Sequence, residues 1–322
     1  MKRSEDLMLF NAKPHEHVYK GLFLFLAVYI GASLFASILT PPTYWLVEWV
    51  DKINPCRLTK YLLGKRVDIF YDRLRWAPIV VALPWVLKYC GLLSWRNLGI
   101  AFDKYSLKLA AKFWSMGLCI AALVYAVQTL FAGAKINAEA AVLNVVVSAV
   151  LGSVILGFLE EIVFRGLIMR CVYTAIGAVS AIVLSSLFFA YKHFKVPSSI
   201  WNHMPENGHA ATWDSGFLTC YYDTVGIAYE FGLIEFVSLF LFGALLCMLY
   251  VRTRSLLAPI SFHAGAIFCM MIFSKCFELD TNEYAFWLGT KWFSDGVLGL
   301  CVCLLFLLYT IFFMKDSGRS LR

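Results

Sequence analysis

The sequence predicts an all-α, polytopic transmembrane helical bundle of about eight spans, and three observations predict it. Hydrophobic residue types make up 61% of the 322 residues, and Asp, Glu, Lys and Arg only 15%; a soluble domain carries about 25% charged residues. Mean hydropathy is +0.72. Several apolar runs approach or exceed the ~20 residues that cross a hydrocarbon core. The short alternating segments of an outer-membrane barrel are not in the sequence.

The first span is expected from Gly21 to Ile38. It lacks a convincing small-residue cleavage site, so it reads as a retained helix and not a signal peptide. Pro41-Pro42 should end it, and Tyr44, Trp45 and Trp49 supply an interfacial aromatic belt. Asp51 to Trp76 reads as a polar connection rich in bases. A second span, Ala77 to Leu93, contains Lys88, whose stem can snorkel to the surface. Trp95 to Lys108 reads as a loop or surface-lying helix, Leu109 to Phe131 as the third span, and Ala132 to Glu139 as a short turn.

The fourth span, about Ala140 to Tyr173, holds Glu160, Glu161 and Arg165. The fifth, Ala175 to Tyr191, closes on Lys192-His193. Phe194 to Gly226 follows as the longest loop of the second half, expected to form a cap or to touch substrate. Its Trp201, Trp213, Tyr221 and Tyr222 read as interfacial anchors, and His203 and His209 as solvated. The sixth span covers Ala228 to Tyr250; Glu230 reads as interfacial and Glu235 as facing a cavity. The seventh, Leu256 to Phe273, contains Pro259 and His263, and the eighth, Gly296 to Met314, precedes a basic tail. Three regions are expected: 1–139 with spans one to three, 140–275 as the functional core, and 276–322 with the last span and tail.

Net charge is +7, an excess that membrane proteins carry in loops facing anionic headgroups. No stretch joins basic density to a nucleic-acid-binding signature, so nucleic acid is not an expected partner. Bases divide almost evenly between the two sides of an eight-span topology, so the positive-inside rule gives no orientation. Most of the ten cysteines sit singly in apolar segments, as Cys119, Cys247 and Cys269 do, and read as small buried hydrophobes.

One ionised carboxylate at mid-membrane costs about 2.5–3.5 kcal/mol, so two adjacent ones need partners or a task. Glu161 and Arg165 are four apart and share a helix face. Glu160 is turned about 100° away, so one Arg cannot serve both acids equally. Glu161 then reads as the structural partner of Arg165, and Glu160 as the acid left to act, a general base for water. Phe189 and His193 likewise share a face of span five, and His263 lies about two turns into span seven. Each His alone reads as a packing residue; together with two Glu, within spans, they form a set needing mutual partners.

These residues carry a resemblance. Glu160-Glu161-x-x-x-Arg165 matches the first motif of the CAAX-protease and bacteriocin-processing family of intramembrane proteases. Phe189-x-x-x-His193 is similar to its second motif, and Leu249 to Ala264 to the segment leading into its third. Order and spacing agree over about Leu143 to Met271. The resemblance implies that Glu160 activates the attacking water with His193 as its partner, that His263 stabilises the tetrahedral oxyanion, and that Arg165 holds Glu161. It also implies a peptide or protein substrate presented at the membrane, lipidated or of leader type, and a multi-pass position, with the cell inner membrane the expected one. Two features depart from the family: Ile267 stands where its third motif commonly has Asn, and the loop after His193 is longer than usual. Two histidines and a glutamate are also a donor set that Zn accepts with a fourth position open. Without His-Glu-x-x-His a metal is not the favoured reading. A non-proteolytic scaffold or immunity-type protein of the same fold is the alternative kept by Ile267. A transporter is a weaker one, since no paired repeats with broken helices are evident.

Overall fold

The computed structural model describes residues 18–137, 142–194, 196–279, 284–290 and 292–315. The mixed-charge segment before Val18 and the basic tail beyond Lys315 lie outside the described residues. In chain order the helices are α1 (Val18–Ile53), α2 (Arg57–Leu63), α3 (Val67–Tyr89), α4 (Lys104–Ala132), α5 (Val142–Glu161), α6 (Arg170–Ile176), α7 (Ala178–His193), α8 (Ser215–Val225), α9 (Leu233–Thr253), α10 (Leu257–Cys276), α11 (Ala285–Leu288) and α12 (Val297–Phe312). A π-helical segment, Ile162–Met169, joins α5 to α6, and 3₁₀ turns occupy Ser198–His203 and Pro205–Gly208. Strands β1 (Ala134–Ile136) and β2 (Phe277–Leu279) pair antiparallel, with Lys135 opposite Glu278.

Each of the eight expected spans contains a helix. Among the described residues six stretches are long and apolar enough to cross a membrane: Lys20–Ile53, Lys104–Ala132, Val142–Ile176, Ala178–His203, Leu233–Thr253 and Leu257–Cys276. This is a multi-pass integral membrane protein. α12 is apolar but has 16 residues, about 24 Å at 1.5 Å per residue. α3 begins ten residues before the expected Ala77 and carries Asp68, Asp72, Arg73, Arg75 and Lys88, so the polar connection is partly helix.

Pro41-Pro42 does not end the first helix; α1 continues to Ile53 with both prolines inside it. Pro41 removes the amide that would bond the Ser37 carbonyl. Membrane helices tolerate this where neighbours satisfy the freed group, and Gly216 packs directly on that carbonyl.

The described residues divide into two units: those within 1–19, 89–190 and 232–322, and those within 20–88 and 191–231. In the first, α10 packs against α4 and α5, and glycines set the approach. A Cβ on Gly117 would overlap the Phe262 carbonyl, and one on Gly265 would overlap the Trp114 carbonyl. A Cβ on Gly157 of α5 would lie 3.1 Å from the Ala264 amide. The buried residues of α5 are Val145, Ala149, Ser153, Gly157 and Glu161, a stripe repeating every four residues. Small residues in such a stripe let membrane helices meet closely.

In the second unit the expected loop cap is largely structured. Trp201, expected at an interface, is instead 6% exposed in a small core with Tyr44, Val67, Phe70, Ile200 and Met204. The Arg66 guanidinium lies over its ring. Trp213 is exposed and edge-on to Trp45. His203 and His209 are exposed, as expected. Glu230 accepts the backbone amides of Ser198 and Ser199 at 3.0 and 2.9 Å, so it caps the 3₁₀ turn. Those amides hold its carboxyl below the usual range.

Candidate active site

Four of the five expected site residues meet in the first unit. α5 delivers Glu160 and Glu161 at its C-terminal end, the π segment delivers Arg165, and α10 delivers His263. The Arg165 Nη1 donates to Glu161 Oε1 at 2.7 Å, and both side chains are fully buried. Arg165 Nη2 donates to the Gly243 carbonyl of α9 at 3.0 Å. The guanidinium is covered by the Phe189 ring, 4.6 Å from its centroid.

His263 Nδ1 is 2.9 Å from the same Glu161 oxygen. A carboxylate can only accept, so Nδ1 carries the proton and Nε2 faces the other way. Nε2 lies 3.9 Å from Glu160 Oε2. The imidazole thus stands between the two acids, with the edges of Phe189 and Phe242 against it at 5.8 and 5.4 Å between centroids. The acids differ in access. The Glu160 side chain is 22% exposed and that of Glu161 0% exposed, although the Glu160 Oε2 that faces His263 is itself buried. Among the described residues Glu161 Oε2 and Arg165 Nε have no hydrogen-bond partner.

His193 is the last residue of α7, half-buried, and belongs to the second unit. Phe189, one turn earlier on the same helix, supplies the aromatic wall just described. Ile267, one turn beyond His263, is buried at 8% exposure and offers no polar atom. Glu235 is in the first turn of α9 and half-buried. Among the described residues no group of three or more His, Cys, Asp or Glu side chains is gathered as metal ligands.

Sequence reasoning had not singled out Gly243, Phe242 or the π segment. Gly243 lies where a Cβ would come within 3.1 Å of the Ser186 backbone, so its small size lets α9 approach and present its carbonyl to Arg165. The π segment is buried at every residue from Ile162 to Met169. Its Phe164 carbonyl accepts the Ser185 hydroxyl of α7 at 3.1 Å. Helix widenings of this kind are frequent at functional sites.

A family model described as type II CAAX prenyl endopeptidase Rce1-like matches residues 142–269. No curated protein matches the chain, and no solved structure does. The matched stretch begins with α5 and ends within α10, so it takes in Glu160, Glu161, Arg165, His193 and His263. Over these residues the chain is therefore similar to the type II CAAX prenyl endopeptidases, a membrane-embedded protease family.

Proposed function

We propose that the chain hydrolyses a peptide bond in a membrane-presented, prenylated peptide tail, with Glu160 activating the water. The observation that carries this reading is the disposition of the two acids about His263: one fully buried and tied to Arg165, the other partly exposed and across the ring at Nε2. Glu161, held by Arg165, accepts the Nδ1 proton and fixes the ring. The ring's Nε2 and Glu160 Oε2 then face each other at 3.9 Å.

A water there gives its proton to Glu160 as its oxygen adds to the scissile carbonyl carbon. When the C–N bond breaks, Glu160 returns the proton to the departing amine, leaving a carboxylic acid and an amine. His263 serves the oxyanion through Nε2 when the ring carries both protons, a contribution of about 3–4 kcal/mol for one well-placed donor. His193 is assigned to Glu160 as the second imidazole on the strength of its motif.

The test uses the protein in phosphatidylcholine nanodiscs and a quenched fluorescent peptide ending in a farnesylated Cys-aliphatic-aliphatic-X sequence. Wild type should release the terminal tripeptide. Glu160→Gln should lose at least about 10³-fold in kcat, with binding of the farnesyl peptide kept. Equal product from both proteins would remove Glu160 from the chemistry. The buried Ile267 favours a second reading, a peptide-binding scaffold that keeps the fold. It predicts farnesyl-peptide binding with no product from wild type on prenylated or leader-type substrates.

A further inference from the structure

We propose that residues 209–225 are a re-entrant membrane segment, with α8 packed lengthwise on α1 and its outer aromatic face in contact with lipid acyl chains.

The argument begins with α1. Between Lys20 and Glu48 this spanning helix has no charged residue, and the middle of that stretch is Leu34. The chain from His209 to Asp223 descends along it. The Tyr44 hydroxyl donates to the His209 carbonyl, and Trp45 Nε1 donates to the Ala211 carbonyl at 3.0 Å, both within the aromatic belt. Five residues on, Gly216 sits against the Ser37 backbone so closely that a Cβ could not be accommodated. Seven residues further, Asp223 binds Arg75, whose Nη1 donates to the Tyr29 hydroxyl at 3.3 Å. The levels reached on α1 run in descending order, 45, 37 and, through Arg75, 29. At 1.5 Å per residue α8 therefore reaches the centre of the charge-free stretch.

The surface of α8 is the reverse of a water-facing helix. Its inward residues are small and polar: Ser215, Gly216 and Thr219, all buried. The Thr219 hydroxyl donates back to the Ser215 carbonyl at 2.7 Å, and Ser37 of α1 does the same to Ser33 at 2.9 Å, so neither needs water. Small residues every four positions on both partners are the pairing surface of membrane helices. The outward residues are Phe217 and Tyr221, 50% and 51% exposed, with Leu218 beside them. A solvated helix presents polar residues on that side; this one presents aromatic and aliphatic carbon.

The charges at the tip fit the same depth. Asp223 Oδ2 receives Arg75 and, at 2.9 Å, Lys192 Nζ; Arg75 Nη2 reaches Asp72 at 2.8 Å. Arg75, Lys192, Asp72 and Asp223 sum to zero formal charge, and Arg75 is 4% exposed. Ionisable groups at membrane depth persist when paired inside the protein, and irregular backbone there persists when it packs on protein.

The experiment places benzoylphenylalanine at Phe217 and, separately, at Tyr221, with Leu34 of α1 as the lipid-facing reference and Glu206 as the exposed loop reference. Each full-length protein is irradiated in phosphatidylcholine nanodiscs, and adducts are located by tandem mass spectrometry. Acyl-chain adducts at 217 and 221, in yield comparable to position 34, are the expected result. No lipid adduct, or adducts confined to the headgroup, while position 34 crosslinks to acyl chains, would overturn the assignment. So would crosslinks from 217 or 221 to a second copy of the chain. If one variant fails to accumulate, the other decides, since the two positions lie one turn apart on the same face.

Discussion

Replacing Arg165 by Met tests the physical basis of the site. The substitution keeps the length and apolar stem of the side chain and removes its charge. Glu161 is fully buried, and its Oε1 receives Arg165 at 2.7 Å and His263 at 2.9 Å, while Oε2 has no partner among the described residues. Without the guanidinium the carboxylate keeps one neutral donor. Removing one member of a buried pair costs about 3–5 kcal/mol, because the other charge stays desolvated. The Gly243 carbonyl, already bonded within α9, also loses this second donor, a further penalty of about 0.5–1.5 kcal/mol. Removing both charges in Glu161→Leu/Arg165→Met leaves only the second penalty and an unpartnered imidazole nitrogen.

The double variant should therefore be more stable than Arg165→Met alone, by about 2 kcal/mol or more. Reversible unfolding in mixed micelles, titrated with denaturing detergent and read by tryptophan fluorescence, measures all four corners of the cycle. Additive single losses would mean that the two groups do not sense each other. A loss below about 1 kcal/mol for Arg165→Met would mean that water reaches Glu161. Either result would refute the closed ion pair.

Phe189→Ala removes a fully buried ring from both the Arg165 guanidinium and His263; the same titration should show a loss of about 3–5 kcal/mol. Gly117→Ala and Gly265→Ala should abolish folded yield, judged by size-exclusion monodispersity, because the added carbon meets backbone carbonyls of the facing helix. Gly152→Ala should be tolerated, since its neighbour is the flexible Met271 side-chain end at 3.0 Å. Glu230 has its carboxyl held down chiefly by the Ser199 and Ser198 amides, from an ordinary value of 4.5. A depressed folded value means that its support of the 198–203 turn is complete above about pH 4.5 and lost as pH falls through the lowered value. Hydrogen exchange at these two amides, corrected for intrinsic rates, should show protection at pH 6 that is lost as the pH is taken progressively below 4.5, and Glu230→Gln should remove the pH dependence.

The spans were legible because lipid demands long apolar helices and leaves few alternatives. Their ends were less so. Pro41-Pro42 reads as a stop in water, yet α1 passes through it, with Gly216 packed on the freed Ser37 carbonyl. That contact is between residues far apart in the chain. Trp201 looked like a surface anchor because its neighbours in sequence are polar; its partners Tyr44 and Phe70 come from α1 and α3. In the site, Glu161 with Arg165 was legible from four-residue spacing. The bond from His263 Nδ1 to Glu161 was not, since it depends on how α5 meets α10. A trace of it was present: Ala149, Ser153 and Gly157 step by four toward Glu161. In a segment that is apolar all round, only side-chain size marks the packed face.

That stripe also explains why the helix widens where it does. Over α5 only every fourth residue is buried; from Ile162 to Val172 every residue is. An α-helix turns 100° per residue, so a four-residue stripe drifts steadily around the axis and would carry position 165 off the contact line. A π segment, with bonds from i to i+5, turns less per residue and so returns position 165 toward the line of 161. Arg165 is then presented to Glu161 on its own helix and to the Gly243 carbonyl of α9 together. The widening frees backbone carbonyls, and Ser185 takes one, that of Phe164. Ser185→Ala should therefore act on the pair indirectly. It removes no charge, yet coupling between Glu161 and Arg165 in the double-mutant cycle should shrink as the segment relaxes toward α-helix. Unchanged coupling in that background would detach the π segment from the ion pair and leave Gly243 as the group that positions the guanidinium.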